Sequence, residues 1–184
     1  LHYPLRRQRQ MCIRDRINTI LFRTGWFLDY KISSEPIVKL VIDNKIKELD
    51  KIMIKYFKKN LKRIHRNCYE KFPNRRSILI RAFNAHKKKD YVTAIILFLT
   101  QIDGIFRDIS NKDLFTKRKW EGPISWIEQL EKEGKNELLI SALSPFKETD
   151  LLSINFNQIS EYPNNIHRNS ILHGYEIDFG TEIN

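Results

Sequence analysis

The sequence predicts an all-α fold, a helical bundle. Chain breakers are scarce, with six Gly and six Pro in 184 residues. Apolar residues recur at steps of three and four over long stretches, the spacing of one helix face. Several of these stretches open on a capping residue or an early proline and close on Gly or Pro, as helices do.

Ile17 to Tyr30 is a mixed apolar entry segment holding Gly25-Trp26-Phe27. Ser33, Ser34, Glu35 and Pro36 supply a cap hydroxyl, an early acid and an early proline. A long helix is expected to follow, with Val38, Val41, Ile42, Leu49, Ile52, Met53, Tyr56, Phe57, Leu61 and Ile64 on one stripe. Asn60 is its one expected point of division. Pro73-Asn74 breaks the chain, and a second helix runs from about Arg75 to His86 with Ile78, Leu79, Ala82 and Phe83 inward. After the polar link Lys87–Lys89, Asp90 starts the most apolar segment, Tyr91 to Ile109. Its six-residue run Ala94–Leu99 leaves little polar face, which marks a central, buried helix. Asp103-Gly104 is expected to interrupt it. Asn111 to Gly122 reads as a loop. Pro123 opens a helix with Ile124, Ile127 and Leu130 on one side, and Gly134 ends it. Leu138 to Leu143 is a shorter helical piece closed by Pro145, and 146–162 is ambiguous. Pro163-Asn164-Asn165 caps a short helix, Ile166 to His173, and Gly174 is its natural terminator. Thr181-Glu182 looks like the start of a further helix that the sequence cuts short.

Residues 1–16, LHYPLRRQRQMCIRDR, resemble translated read-through of a sequencing adapter. They carry no apolar periodicity, no cap and no signal-peptide core. The rival reading is a basic arm for nucleic acid. We therefore expect one domain over 17–184. Leaving out 1–16 removes five arginines and one aspartate and takes the formal charge from +11 to +7. The chain remains basic, which favours polyanionic partners. No run approaches the roughly 20 apolar residues of a membrane span, so no membrane partner is expected. Cys12 and Cys68 make neither a disulfide framework nor a metal motif, and a reducing, cytoplasmic setting is the simplest expectation.

The stretch that carries chemistry is His167-Arg168-Asn169-Ser170-Ile171-Leu172-His173-Gly174. It joins a permanent cation to a group that titrates near neutral pH. Those are the two tools for cutting RNA without metal. A histidine can take the 2′-hydroxyl proton or protonate the leaving 5′-oxygen. An arginine can hold the phosphate while charge grows on its oxygens. The spacing alone is weak: fourteen arginines and five histidines give about one such pair by chance, and Arg81 with His86 also fits, on an ordinary amphipathic helix. Positions five apart on a helix lie about 140° around its axis. Arg168 and His173 can therefore meet only if the chain turns at Gly174 or if a two-fold dimer pairs two copies. The plainer reading gives Arg168 a carboxylate and makes His173 a helix C-cap.

Arg168-Asn169-x3-His173 resembles the signature of HEPN domains. The longer string RNSILHG, with Asp178-Phe179-Gly180-Thr181 and Asn184, is similar to one group of bacterial HEPN-like proteins. Gln101-Ile102-Asp103-Gly104-Ile105 and Gly25-Trp26-Phe27 match the same group. The resemblance implies a helical bundle that dimerises through its motif-bearing end. It implies a metal-independent endoribonuclease leaving 2′,3′-cyclic phosphate ends, of the kind used in toxin–antitoxin and phage-defence systems, with an antitoxin protein as a possible partner. Arg168 would bind and stabilise the phosphate, His173 would be the general acid or base, and Asn169 would orient the site or contact RNA. The resemblance equally covers modules that do not cut and serve RNA or protein binding and dimerisation.

Lys55, Lys58, Lys62 and Arg66 form a basic stripe suited to an RNA backbone or to a solvated helix face. Asp103, with Gln101, could support Arg168. Trp120 and Trp126 read as core rather than base-stacking platforms. His65 and His167 are expected at the surface. No ligand set has metal spacing, and neither a metal nor another cofactor is expected.

Overall fold

The computed structural model describes residues 17–22, 24–115, 122–134, 137–148 and 166–182. Residues 1–16, Trp120, most of the ambiguous 146–162 stretch, Pro163-Asn164-Asn165 and Asn184 lie outside them. The described residues are helical or irregular, with no strand among them. The fold class is all-α, as the periodicity predicts.

Residues 17–22 form α1. Then follow α2 (Ser34–Ile42), α3 (Ile46–Lys71), a 3-10 turn (Pro73–Arg75), α4 (Arg76–Lys87) and α5 (Tyr91–Ser110). Beyond these lie α6 (Pro123–Lys132), α7 (Glu137–Leu143), α8 (Pro145–Glu148) and α9 (Arg168–Leu172). The single long helix expected after Ser33 is two helices. The break falls at Asp43-Asn44-Lys45, where Asn44 takes φ 52°. Asparagine tolerates that left-handed conformation better than most residues. Asn60 divides nothing. Its side-chain amide donates to the Tyr56 carbonyl at 2.9 Å, inside an unbroken α3.

α4 and α5 pack along each other more extensively than any other pair. They are joined by three residues, with Lys89 at φ 63° turning the chain. Asp90 caps α5 by accepting from the Thr93 amide at 3.2 Å. Asp103-Gly104 does not interrupt this helix, which continues to Ser110. Nor is α5 enclosed all round. Ala94, Ile95, Leu99 and Phe106 are buried, while Val92, Ile96 and Ile109 are exposed. On α4, Leu79, Ala82 and Phe83 turn inward as expected, Ala85 joins them, and Ile78 faces out.

Apolar groups among the described residues hold the helices together. Ile17, Leu21, Ile37, Leu49 and Met53 close α1 and α2 onto α3. Ile95 and Leu99 of α5 receive Ile171 of α9 and Phe179. Phe106, Leu114 and Trp126 join α5 to α6, with Leu139, Leu143 and Phe146 packed against them. A buried polar tie joins α1 to α7: the Asn18 amide donates to the Ser141 carbonyl at 2.7 Å. Pro145 closes α7 and also opens α8. Thr181-Glu182 is irregular rather than helical. No helix of the described residues is long and apolar enough to cross a membrane.

Candidate functional site

α9 is a short helix of five residues, Arg168–Leu172. His167 occupies the N-cap position, and His173 is the C-cap, its amide donating to the Asn169 carbonyl at 3.0 Å. Gly174 follows at φ 76° with open space where a Cβ would stand, so only its backbone conformation calls for glycine. The amides of Tyr175 and Glu176 both donate to the Ser170 carbonyl, at 2.8 and 3.2 Å, and fold the chain back. Ser170 and Ile171 are buried, and Phe179 inserts beside Ile95 and Leu99. Gly180 lies against Val92, where a Cβ would collide with the valine methyl. Much of the RNSILHG and DFG strings thus docks the segment on α5.

Arg168 is half-buried. Its guanidinium sits 4.0 Å from the centre of the Phe115 ring and donates to Asn169 Oδ1 at 3.1 Å. Its Nε is buried with no hydrogen-bond partner among the described residues. His173 is exposed, its ring 6.3 Å from that of Tyr175. Arg168 and Asn169 are therefore brought together, whereas no hydrogen bond joins His173 to either side chain within one chain. His167 is not a surface residue: it is 3 % exposed, and its Nδ1 lies 3.1 Å from Glu176 Oε2. The imidazole braces the two sides of the Gly174 turn.

Asp103 and Gln101 serve other partners. Asp103 Oδ1 accepts from the Leu114 amide at 3.0 Å. That bond fixes the chain next to Phe115, so Asp103 reaches Arg168 only through the ring beneath it. Gln101 Oε1 accepts from Arg75 Nη1 at 3.2 Å. Arg75 also forms a two-pronged pair with Asp108, at 2.6 and 3.1 Å, and its guanidinium lies where a Gly104 side chain would be. The Gln-x-Asp-Gly string is thus a clamp on the start of α4 and a strut for the loop after α5. Arg75 and Asp108 escaped the sequence reading. A signal existed: Arg75 and Arg76 start a helix whose first turn has no acid, which opposes the helix dipole unless a partner lies near. Asp103→Ala should cost about 2 kcal/mol, the scale of a hydrogen bond to a charged group. Hydrogen exchange at the Leu114 amide should accelerate, and Asp103→Asn, which keeps an acceptor, should restore most of its protection. Unchanged Leu114 exchange in the alanine variant would remove the strut role.

The stripe on α3 is exposed at Lys55, Lys58, Lys62 and Arg66. Lys58 Nζ pairs with Glu182 at 2.8 Å, and Arg66 pairs with Glu70 at 3.9 Å. Both pairs are solvent-accessible and weak enough for a phosphate to compete. The neighbouring Arg63 faces away, toward Asp29 and Tyr56. His65, on the same helix, is 4 % exposed rather than at the surface. Its ring centre lies 3.8 Å from that of Phe83, and its Nε2 has no partner among the described residues. Burial, reinforced by Lys87 and His86, pushes its pKa down to about 4. Trp126 is buried, as expected of core. Among the described residues, no three His, Cys, Asp or Glu side chains gather as a metal site.

The fold and this docked C-terminal motif define an all-α bundle with an arginine and a histidine at opposite ends of one short helix. No family model, no curated protein and no solved structure matches the chain.

Proposed function

We propose that the chain is a HEPN-like, metal-independent endoribonuclease that works as a homodimer, with Arg168 and His173 supplied to a cleft at the two-fold axis. The observation that carries the reading is the exposure of His173 at the end of an anchored helix whose first residue is Arg168. Here the imidazole is open to a substrate, in position to take or give a proton. Arg168, oriented by Phe115 and Asn169, would stabilise the phosphate. Arg168 and His173 stand apart within one chain, and a two-fold dimer would bring two copies of the motif to one cleft. Exposed apolar side chains early in α5 and around the Gly174 turn, Val92, Ile96, Leu172, Tyr175 and Ile177, favour a covered face. The stripe Lys55, Lys58, Lys62 and Arg66 would follow the RNA backbone. A role in toxin–antitoxin or phage-defence systems, with an antitoxin as protein partner, belongs to the same proposal.

One observation favours a second reading, a non-catalytic module for RNA or protein binding. Arg168 is held on Phe115 and Asn169, and much of the motif serves to dock α9. A single experiment separates the two. The purified chain and His173→Ala are incubated with end-labelled RNAs in EDTA, beside sedimentation and circular dichroism of both. Cleavage by the parent alone, with 2′,3′-cyclic phosphate ends, is the expected result. A folded, dimeric parent that leaves varied RNAs intact would make the binding module the better reading.

A further inference from the structure

A cavity of about 260 Å³ opens among α3, α4 and α5, apart from the α9 motif. Its walls are largely apolar, with Trp26, Phe57 and Phe98 among them. His86 and Thr181 line it too, and two further polar groups, Lys58 and Tyr91, converge on one carboxylate oxygen. Lys58 Nζ lies 2.8 Å and the Tyr91 hydroxyl 3.3 Å from the same atom, Glu182 Oε1. The size is just below the range of about 300–1,000 Å³ usual for small-molecule sites, which fits an occupant of one or two rings.

We propose that this cavity binds a small carboxylic acid with an aromatic or branched apolar body, whose carboxylate replaces that of Glu182 on Lys58 and Tyr91. The two donors are already spaced for a carboxylate, because one belonging to the chain sits on them. The bond to be exchanged is cheap. Lys58 and Glu182 are 57 % and 42 % exposed, and solvent-exposed pairs contribute little. Glu182 also stands on irregular chain beyond Phe179 and Gly180, so its displacement unwinds none of the described helices. The apolar body supplies the affinity and the head supplies the selectivity, the usual division in such sites. An amine-headed ligand would meet Lys58, and a neutral one would leave Glu182 in place and gain nothing from the cation.

The test uses 3-phenylpropionate and its neutral amide, titrated into the whole chain by calorimetry and by NMR of labelled alanine and isoleucine methyls. The acid should bind at least about tenfold more tightly than the amide, a difference of about 1.4 kcal/mol. It should shift the Ala94 and Ile95 methyls that line the cavity. Lys58→Met should erase the preference for the acid. Glu182→Gln should tighten acid binding several-fold by weakening the internal competitor. Both residues are surface-exposed, so their variants are expected to fold, with circular dichroism as the check. Equal affinity for acid and amide, an unchanged preference in Lys58→Met, or no methyl shifts at millimolar ligand would each overturn the proposal.

Discussion

Truncation of Leu49 to alanine is expected to lower the unfolding free energy by about 3 kcal/mol, within the range for buried leucines. Leu49 is fully buried in the first turns of α3, in a group with Ile17, Leu21, Ile37 and Met53. Those neighbours come from three helices, and Ile17, Leu21 and Ile37 cannot relax into the space without pulling α1 or α2 off α3. The cost is therefore expected to combine lost transfer energy with a retained cavity. Urea unfolding followed at 222 nm reads the effect as a lower midpoint with unchanged slope. Leu49→Met, which conserves volume, should cost less than about 1.5 kcal/mol. A loss below about 1 kcal/mol in the alanine variant would mean that α1 and α2 do not close over α3 in solution. For a domain of ordinary stability, 3 kcal/mol is a substantial share of the total.

Acidification should destabilise the fold through His65 by up to about 3 kcal/mol between neutral pH and pH 4. Its imidazole is buried against Phe83, and its pKa falls from 6.5 to about 4. In that window the unfolded chain binds a proton that the folded chain refuses. Stability thus rises with pH between about 4 and 6.5, and is lost as pH falls through the same interval. Burial lowers the pKa of His86 as well, so it contributes with the same sign. Asp29 and Asp108 also have lowered pKa values, set against Arg63 and Arg75, and their contributions are lost at more acid pH. His65→Phe isolates the histidine. It removes the buried Nε2 and keeps the ring beside Phe83, so it should make the curve shallower between pH 4 and 6.5 and leave the His86 contribution. Parallel curves for parent and variant over that interval would exclude His65 as the source.

The helical character was legible in the sequence because periodicity, caps and breakers agreed. Pro73, Asp90, Pro123, Gly134 and Gly174 each sit within a residue or two of a helix boundary. The break at Asn44 was not legible. Apolar residues continue through it at helical spacing, and only packing of α2 against α3 requires the turn. Asn60 misled because asparagine weakens an isolated helix, yet its side chain satisfies the Tyr56 carbonyl and leaves the ladder intact. His65 and His167 were misplaced at the surface. A histidine's type says little about burial until its neighbours are known, and here these are Phe83 for one and Glu176 for the other.

For the motif end, the sequence singled out Arg168, Asn169 and His173, and one-dimensional spacing already separated the arginine from the histidine. Residue chemistry and helical period suffice for that. What the tertiary structure decided is the company these groups keep. Phe115 comes under Arg168 from a loop more than fifty residues earlier, pinned there through Asp103 and Leu114. Gln101 belongs to Arg75, and Lys58 to Glu182. Such pairings are made across helices, where periodicity carries no information. They follow from which buried faces fit together, and that is fixed only when the whole chain packs.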